Sequence, residues 1–254
     1  MRQWKDIRPP EARILQCLKD HPPQEIAVHR IEFVPLGDQA ALAYLPEEAA
    51  ALRFAAAVRQ AAPAWMVDVV QAYTSVAVFF DPGRCRFGAV AQYLQELESE
   101  ASCPSPLAPR PSPLHIPCCY EFQQDMSRVR EQTGLDAEQV IALHTATVYT
   151  VYAIGFCPGF PYLGYLPAAL AGVTRLPAPR QRVEAGSVGL TGRQTGIYTE
   201  VRPGGWNLIG RTPLELVNVA EGYFPLRTGD RVRFTRIDEA EFGRLWGERM
   251  KDEG

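Results

Sequence analysis

Arginine and glycine are concentrated in one stretch of this chain, from Gly155 to Pro213. The stretch contains six arginines but only two acidic residues, Glu184 and Glu200, although the whole chain has a formal net charge of -3. It also holds eleven of the 20 glycines, and glycine favours tight turns and close approach of the backbone. Guanidinium groups bind carboxylates and phosphates through paired hydrogen bonds. The stretch therefore predicts a site for an anion, built on turns between short strands.

Other kinds of site and partner are disfavoured by the rest of the composition. The six cysteines form no CxxC pair and the four histidines no HxH or HExxH spacing, so we expect free thiols and no protein-bound metal. There is no basic tract for nucleic acid, no apolar run of membrane-spanning length and no signal-peptide pattern, so we expect a cytoplasmic protein. Any phosphate must be held by arginine and peptide N–H groups, since the lysines are only Lys5, Lys19 and Lys251.

The first part of the chain has the pattern of a small α/β sandwich. The order β-β-α-β-β-α at 28–102 predicts helices on one face of an antiparallel sheet. Residues 1–27 are expected to form an N-terminal extension. Strands are expected at 30–34, 41–45, 67–73 and 75–80, and helices at 46–60 and 87–100.

The second part, at 114–254, is predicted to be a β-barrel. Prolines at 104, 106, 109, 111 and 113 indicate a linker at 103–113, because such a density interrupts helices and central strands. Short strand-like runs then recur between glycine turns as far as residue 234. A helix is expected to begin at Asp136, with Gln139 completing a capping box, and a last helix is expected at about 238–250.

Three motifs in the glycine-rich stretch carry a family resemblance. They are GF-x-PGFPYLGYLP, PR-x-RV-x-AGSVGL-x-G-x-QTGIY and PGGW-x-LIGRTP. In this order they resemble the family of 5-oxoprolinase B subunits, also called allophanate hydrolase subunit 1, which includes a sporulation-kinase inhibitor. Similar sequence forms part of the carboxyltransferase region of urea carboxylase. The resemblance covers about residues 31–234.

The resemblance implies a fold, a reaction and partners. The fold would be α+β, with a ferredoxin-like N-terminal α/β sandwich followed by a cyclophilin-like β-barrel. The chain would pair with the homologous C subunit of a 5-oxoprolinase complex, which also contains an A subunit. The assembly would cleave the lactam 5-oxo-L-proline to L-glutamate using ATP, and Mg²⁺ would arrive with the nucleotide. The B and C subunits together would phosphorylate the lactam, the A subunit would complete the hydrolysis, and this chain would be inactive alone.

Two other functions stay open at this point. The chain could instead inhibit a sensor histidine kinase, which would then be its partner. It could also belong to urea or allophanate metabolism. Glu184 and Thr199 stand where the family pattern leads us to expect proline.

The candidate site residues are those of the matched motifs, together with one histidine. Arg180, Arg182 and Arg211 are predicted to contact an anion, with bracing of barrel loops as the alternative. Arg211 and His144 are the catalytic candidates, His144 as a general base or, alternatively, as a C-terminal helix cap or a packed surface residue. Substrate or nucleotide contacts are predicted for Gly186, Ser187, Gln194, Thr195, Tyr198, Trp206 and Thr212, through peptide N–H groups and short polar side chains or, for Trp206, the ring.

Overall fold

The computed structural model describes residues 31–101 and 112–250, and within them it has 13 strands and five α-helices. The predicted extension at 1–27 and most of the predicted linker at 103–113 lie outside these residues. The strands are β1 (Phe33–Leu36), β2 (Ala40–Tyr44), β3 (Met66–Ala72), β4 (Ser75–Phe80), β5 (Leu114–Cys119), β6 (Val148–Ile154), β7 (Pro161–Gly164), β8 (Arg180–Val183), β9 (Ser187–Thr191), β10 (Gln194–Ile197), β11 (Arg202–Gly204), β12 (Asn207–Arg211) and β13 (Arg231–Ile237). The helices are α1 (Glu48–Ala61), α2 (Phe87–Ala101), α3 (Met126–Thr133), α4 (Ala137–Ala146) and α5 (Glu239–Arg244).

The first four strands form an antiparallel sheet in the order β1-β2-β4-β3. Helix α1 packs on β3 and β4, α2 packs on β2, and the two helices contact each other, so both lie on one face. Helix α1 buries Ala51, Phe54, Ala55 and Val58, whose spacing places them on a single stripe. Ala62 ends the helix in the left-handed region at φ 39°, with its N–H donated to the Val58 carbonyl. The predicted sandwich is therefore observed.

Seven strands close a barrel in the order β6-β13-β5-β12-β9-β10-β7, and β7 pairs again with β6. Every pair in the ring is antiparallel except β13 with β5, which is parallel. Side chains that point inward fill the barrel, among them Ile116, Val151, Leu190 and Phe234. The fold is thus a ferredoxin-like α/β sandwich followed by a cyclophilin-like β-barrel.

The sandwich and the barrel share one continuous sheet. Strand β3 pairs with β6 through Ala72 and Ala153, and the Tyr73 N–H is donated to the Tyr152 carbonyl at 3.0 Å. The side-chain amide of Gln71 donates to that same carbonyl at 2.9 Å. The domain boundaries at 28–102 and 114–254 stay a prediction.

Most element ends agree with the sequence patterns, and two differ. The capping box at Asp136 and Gln139 is present, with both of its hydrogen bonds. Strand β1 begins at Phe33, and its expected start at residue 30 lies outside the described residues. Helix α5 ends at Arg244, well before residue 250, and Gly247 follows in the left-handed region at φ 78°. No helix in the described ranges is long and apolar enough to cross a membrane.

A hydrogen-bonded chain of four groups runs through the barrel interior around His144, which has no exposed surface. Its Nδ1 lies 2.7 Å from the Tyr120 hydroxyl and its Nε2 lies 3.0 Å from Thr195 Oγ1. The Thr195 hydroxyl donates to the Gly189 carbonyl at 3.0 Å, so it accepts from His144 Nε2–H, and Nδ1 then accepts from Tyr120. A neutral imidazole with both nitrogens satisfied is a packed structural group.

Substituting glutamine for His144 should reduce the pH dependence of folding stability. Burial lowers the pKa of His144 from its ordinary value of 6.5 to about 3. Between these values the unfolded chain binds a proton that the folded chain does not. The free energy of unfolding is therefore expected to fall as the pH drops from 6.5 towards 3, by up to about 1.4 kcal/mol per pH unit.

Urea unfolding of the native protein and of His144→Gln, between about pH 7 and pH 5, measures this difference. The variant is expected to be less stable at neutral pH, because it loses packing and the hydrogen-bonded chain. The difference in free energy of unfolding between the two proteins should decrease as the pH is lowered. A difference that stays constant would show that His144 is protonated equally in the folded and unfolded states.

Candidate functional site

Two cavities adjoin each other on the barrel, and Tyr198 lines both. The first, of about 290 Å³, is bordered on one side by Trp246, and we call it the Trp246 cavity. The second, of about 300 Å³, is lined mainly by aromatic rings, and we call it the aromatic groove. Both volumes are close to the lower end of the range of small-molecule sites, about 300–1,000 Å³.

Strand ends from two matched motifs meet at the Trp246 cavity. Gly186 precedes β9, Tyr198 follows β10, and Thr212 follows β12. Because β9 runs antiparallel to both of its neighbours, its start and their ends lie at the same end of the barrel. Three of the predicted contact residues are thus brought together by strand order alone. Glu215 and Trp246 complete the wall, and neither was predicted.

The peptide N–H groups at this end are already hydrogen-bonded, contrary to the expectation that they are free to bind an anion. Gly186 N–H is donated to the Tyr198 carbonyl at 2.7 Å, and Thr212 N–H is donated to the Gly186 carbonyl at 2.9 Å. The N–H of Ser187 is donated to the Glu184 carbonyl at 3.2 Å. Gly186 has φ 82°, and a Cβ there would overlap the Thr212 carbonyl. Its role is close packing, because the strands satisfy the N–H groups.

Arg211 lies behind the wall of the Trp246 cavity. Its Nε donates to the Ala185 carbonyl at 2.9 Å, and its guanidinium carbon lies 4.9 Å from the centre of the Trp246 ring. Ala185 and Trp246 both line the cavity, whereas Arg211 itself is not among the lining residues. Burial lowers its pKa, and the charge of Glu184 opposes that shift. Arg211 therefore connects two parts of the cavity wall, Ala185 and Trp246.

Arg180 and Arg182, two residues apart on β8, are each bound to a different carboxylate. Arg180 Nη2 lies 2.7 Å from Oδ1 of buried Asp125, whose Oδ2 accepts the Leu208 N–H at 2.7 Å. Arg182 is exposed and makes two hydrogen bonds to Glu184, at 2.6 and 3.2 Å. Neither arginine lines either cavity. The expected cluster of three guanidinium groups at one cavity is therefore not observed, since each has an acceptor within the fold.

The remaining polar candidates lie mostly inside the barrel. His144 and Thr195 are completely buried and hydrogen-bonded to each other, so His144 is not the packed surface residue of the alternative, and its role as a base stays a prediction. Ser187 is buried, and its backbone pairs with Arg211 across β9 and β12. Gln194 is half-buried at the start of β10. Neither cavity is lined by any of these residues.

The aromatic groove is built on three buried rings. Phe160, Tyr198 and Trp206 form its floor, and Phe160 meets the other two edge to face, at centroid distances of 5.3 and 5.5 Å. Two glycines make this packing possible. A Cβ on Gly204 would overlap the Tyr198 hydroxyl, and one on Gly196 would lie 3.0 Å from Trp206 Cζ3. The predicted placement of Trp206 in a groove agrees with this geometry.

Two residues at the rim of the aromatic groove were not identified from the sequence. Arg175 lies between barrel elements in VTRLPAPR, a run whose prolines indicate an exposed loop but no particular chemistry. Phe156 has φ 68° and is 61% exposed, a combination that sequence patterns do not predict. No group of three His, Cys, Asp or Glu side chains within residues 31–101 and 112–250 is arranged to hold a metal ion.

Comparison with known proteins gives one family for most of the chain. Residues 31–223 match the model of the family described as "Carboxyltransferase domain, subdomain C and D". The chain is 38% identical to the B subunit of 5-oxoprolinase from Bacillus subtilis (strain 168), over 69% of this chain and 78% of that protein. It is 40% identical to the B subunit of 5-oxoprolinase from Haemophilus influenzae, over 66% of this chain and 78% of that protein.

Solved structures agree with the fold. The crystal structure of TTHA0988 matches with a TM-score of 0.68 and 37% sequence identity over 82% of this chain, which spans only 40% of the TTHA0988 chain. Kluyveromyces lactis urea carboxylase matches over 85% of this chain and 22% of its own length, with a TM-score of 0.62. Its 18% identity makes this a likeness of fold alone. The chain belongs to the carboxyltransferase-domain family and, within it, to the family of 5-oxoprolinase B subunits.

Proposed function

We propose that this chain is the B subunit of an ATP-dependent 5-oxoprolinase complex, which cleaves 5-oxo-L-proline to L-glutamate together with its A and C subunits. The curated relatives named as B subunits of 5-oxoprolinase support a place in such a complex. The observation that carries the proposal is the meeting of matched-motif residues at two adjoining cavities, which share Tyr198. These cavities give the family's motif a common place on the barrel where a small molecule could bind.

In this proposal the chain holds and orients the lactam and does not cleave it alone. ATP supplies the phosphoryl group that activates the lactam carbonyl oxygen, and orientation of that oxygen is the task left to the protein. A nucleoside triphosphate is larger than either cavity encloses. We therefore place the nucleotide between this barrel and that of the C subunit. On this side the cationic groups that bind its phosphates would be arginine side chains and not lysine.

Arg211 acts in this proposal as a positioning residue. Its hydrogen bond to the Ala185 carbonyl and its stacking on Trp246 fix two opposite parts of one cavity wall. A misplacement of about 1 Å in such a wall can cost about a hundredfold in rate. Arg180 and Asp125 support the neighbouring strand β12 in the same way, through the Leu208 N–H.

Glutamate release should require this chain together with both other subunits. We expect a mixture of this chain with the A and C subunits to convert 5-oxo-L-proline to L-glutamate with stoichiometric formation of ADP. Mixtures that lack any one of the three proteins should release none. The measurement is coupled detection of glutamate and ADP, with circular dichroism confirming that each component is folded. A complete, folded mixture that releases no glutamate would refute the proposed reaction.

Arg211→Ala should lower kcat/KM of the complete mixture by about tenfold or more, because two parts of the cavity wall lose their connection. The melting temperature should fall by only a few degrees, since one hydrogen bond and the cation–π contacts with Trp246 and Phe242 contribute about 2 kcal/mol together. Arg211→Lys keeps the charge over Trp246 and should recover part of the activity.

Arg244→Ala is the matched control for Arg211→Ala. Arg244 is exposed on α5 and pairs with Glu241 in the same helix, so its removal should leave kcat/KM near the native value. Full activity in Arg211→Ala would show that the connection between Ala185 and Trp246 is not needed. A fall of many degrees in melting temperature would assign Arg211 to the scaffold.

A further inference from the structure

We propose that the aromatic groove binds a small cyclic monocarboxylate and that Arg175 is the cation that holds its carboxylate. Under the proposed function this ligand is 5-oxo-L-proline, and that identification rests on the proposed function. The binding site and its chemical class rest on the geometry of the groove alone. Arg175 is then a specificity-determining residue for the charged group of the substrate.

The floor of the groove is a preformed apolar slot. Phe160, Tyr198 and Trp206 are at most 6% exposed and hold one another in edge-to-face contacts. Tyr162 extends the same cluster, with its ring 4.9 Å from Phe160 and 5.8 Å from Trp206. Rigid rings of this kind accept a flat ligand without reordering their side chains.

Phe156 closes one side of the slot at the cost of backbone strain. Its φ of 68° lies in the left-handed region, where a bulky residue costs about 1–3 kcal/mol. The ring is 61% exposed, yet it meets Phe160 and Tyr198 edge to face at 5.5 and 6.3 Å. Because most of the Phe156 ring is exposed, the free energy gained by burying the rest offsets little of that strain energy. A large exposed phenyl group held over a cavity in this way is typical of a ligand-contact position.

The charge at the rim is available for an anion. Arg175 lines the groove and is exposed, and in the described part of the chain its guanidinium has no carboxylate partner and no hydrogen-bond acceptor. Arg182, Arg202 and Arg249 are exposed too, but each is bound to glutamate. Burial raises the pKa of Tyr198, and the positive charges of Arg175 and Arg180 oppose that rise. The Tyr198 hydroxyl thus lies within the electrostatic reach of both guanidinium groups.

Size and charge together limit the ligand to one ring and one carboxylate. The groove has a volume of about 300 Å³ and a single cation among its lining residues, which suits one negative charge and not a triphosphate. A guanidinium meets a carboxylate with two parallel hydrogen bonds and so fixes the ring relative to the slot. Tyr162 and Tyr198 both line the groove, and their hydroxyls are polar side-chain groups in the lining, besides Arg175, that distinguish a lactam from a hydrocarbon ring.

Calorimetric titration of the full-length chain tests the groove directly. The probes are 5-oxo-L-proline and 5-oxo-L-prolinamide, which differ only in the charged group. We expect the native chain to bind the acid about tenfold or more tightly than the amide. Arg175→Gln should weaken acid binding about tenfold or more and leave amide binding unchanged. Arg175→Lys should bind the acid with intermediate affinity.

Arg53→Gln provides the control, because Arg53 is an exposed arginine on α1, paired with Glu47, in the sandwich and not in the groove. It should bind both probes as the native chain does. Equal acid binding by the native chain and Arg175→Gln would overturn the inference, as would equal binding of acid and amide by the native chain. Melting temperatures of all variants should match, because both substituted positions are exposed.

The reconstituted mixture separates failure of this inference from failure of the proposed function. Arg175→Gln is expected to raise KM for 5-oxo-L-proline about tenfold or more with a smaller change in kcat. An active mixture with unchanged KM would overturn the role of Arg175 and leave the proposed function standing. An inactive mixture, with acid binding that still depends on Arg175, would reject the proposed function and support a carboxylate site.

Discussion

The antiparallel pairing of β9 with both β10 and β12 determines where several candidate residues of this chain lie. It brings the start of β9 and the ends of β10 and β12 to one end of the seven-strand ring, which β6 and β7 close. Strand pairing alone therefore brings residues from two separate motifs to the wall of one cavity. Closure of the ring also creates a buried barrel interior. There His144 and Thr195 belong to a neutral hydrogen-bonded chain that has no contact with solvent.

Glycine makes the closed barrel compatible with so many aromatic rings. Gly196 lies so close to Trp206 and to the Pro161 carbonyl that a Cβ would fall 3.0 and 2.8 Å from them. Gly204 has the same relation to the Tyr198 hydroxyl, and Gly210 to Cys118 Sγ, at 2.7 Å. The glycine content that first indicated turns therefore serves close packing at several positions inside strands. The N–H of Gly186 is donated to the Tyr198 carbonyl, so this glycine too offers no free donor to an anion.

The sequence predicted the local elements well because each rests on short-range patterns. The capping box at Asp136 and the sandwich helices needed only neighbouring residues. The family resemblance supplied the barrel type, whereas strand pairing depends on distant residues, such as Val232 beside Leu114. The site was predicted less completely. Trp206, Tyr198 and Gly186 line cavities, but the importance of Arg175 depends on which arginines lack a carboxylate, and the sequence alone does not show this.

Counting charges in a sequence overestimates the positive charge that remains for a ligand. The glycine-rich stretch has six arginines and two acids, and both acids pair within it, Glu184 with Arg182 and Glu200 with Arg202. Asp125, from outside the stretch, pairs with Arg180. Arg211 is held by a carbonyl and an indole ring, and Arg193 lies over Tyr165. Each of these contacts reduces the free energy that a guanidinium could gain by binding an anion, because its donors or its face are already occupied. An arginine in a loop beside rigid aromatic rings, with no such contact in the described part of the chain, retains the full hydrogen-bonding capacity of its planar fork. The density of arginine along the sequence is therefore a poor guide to anion binding, because pairing within the fold decides which guanidinium groups keep free donors.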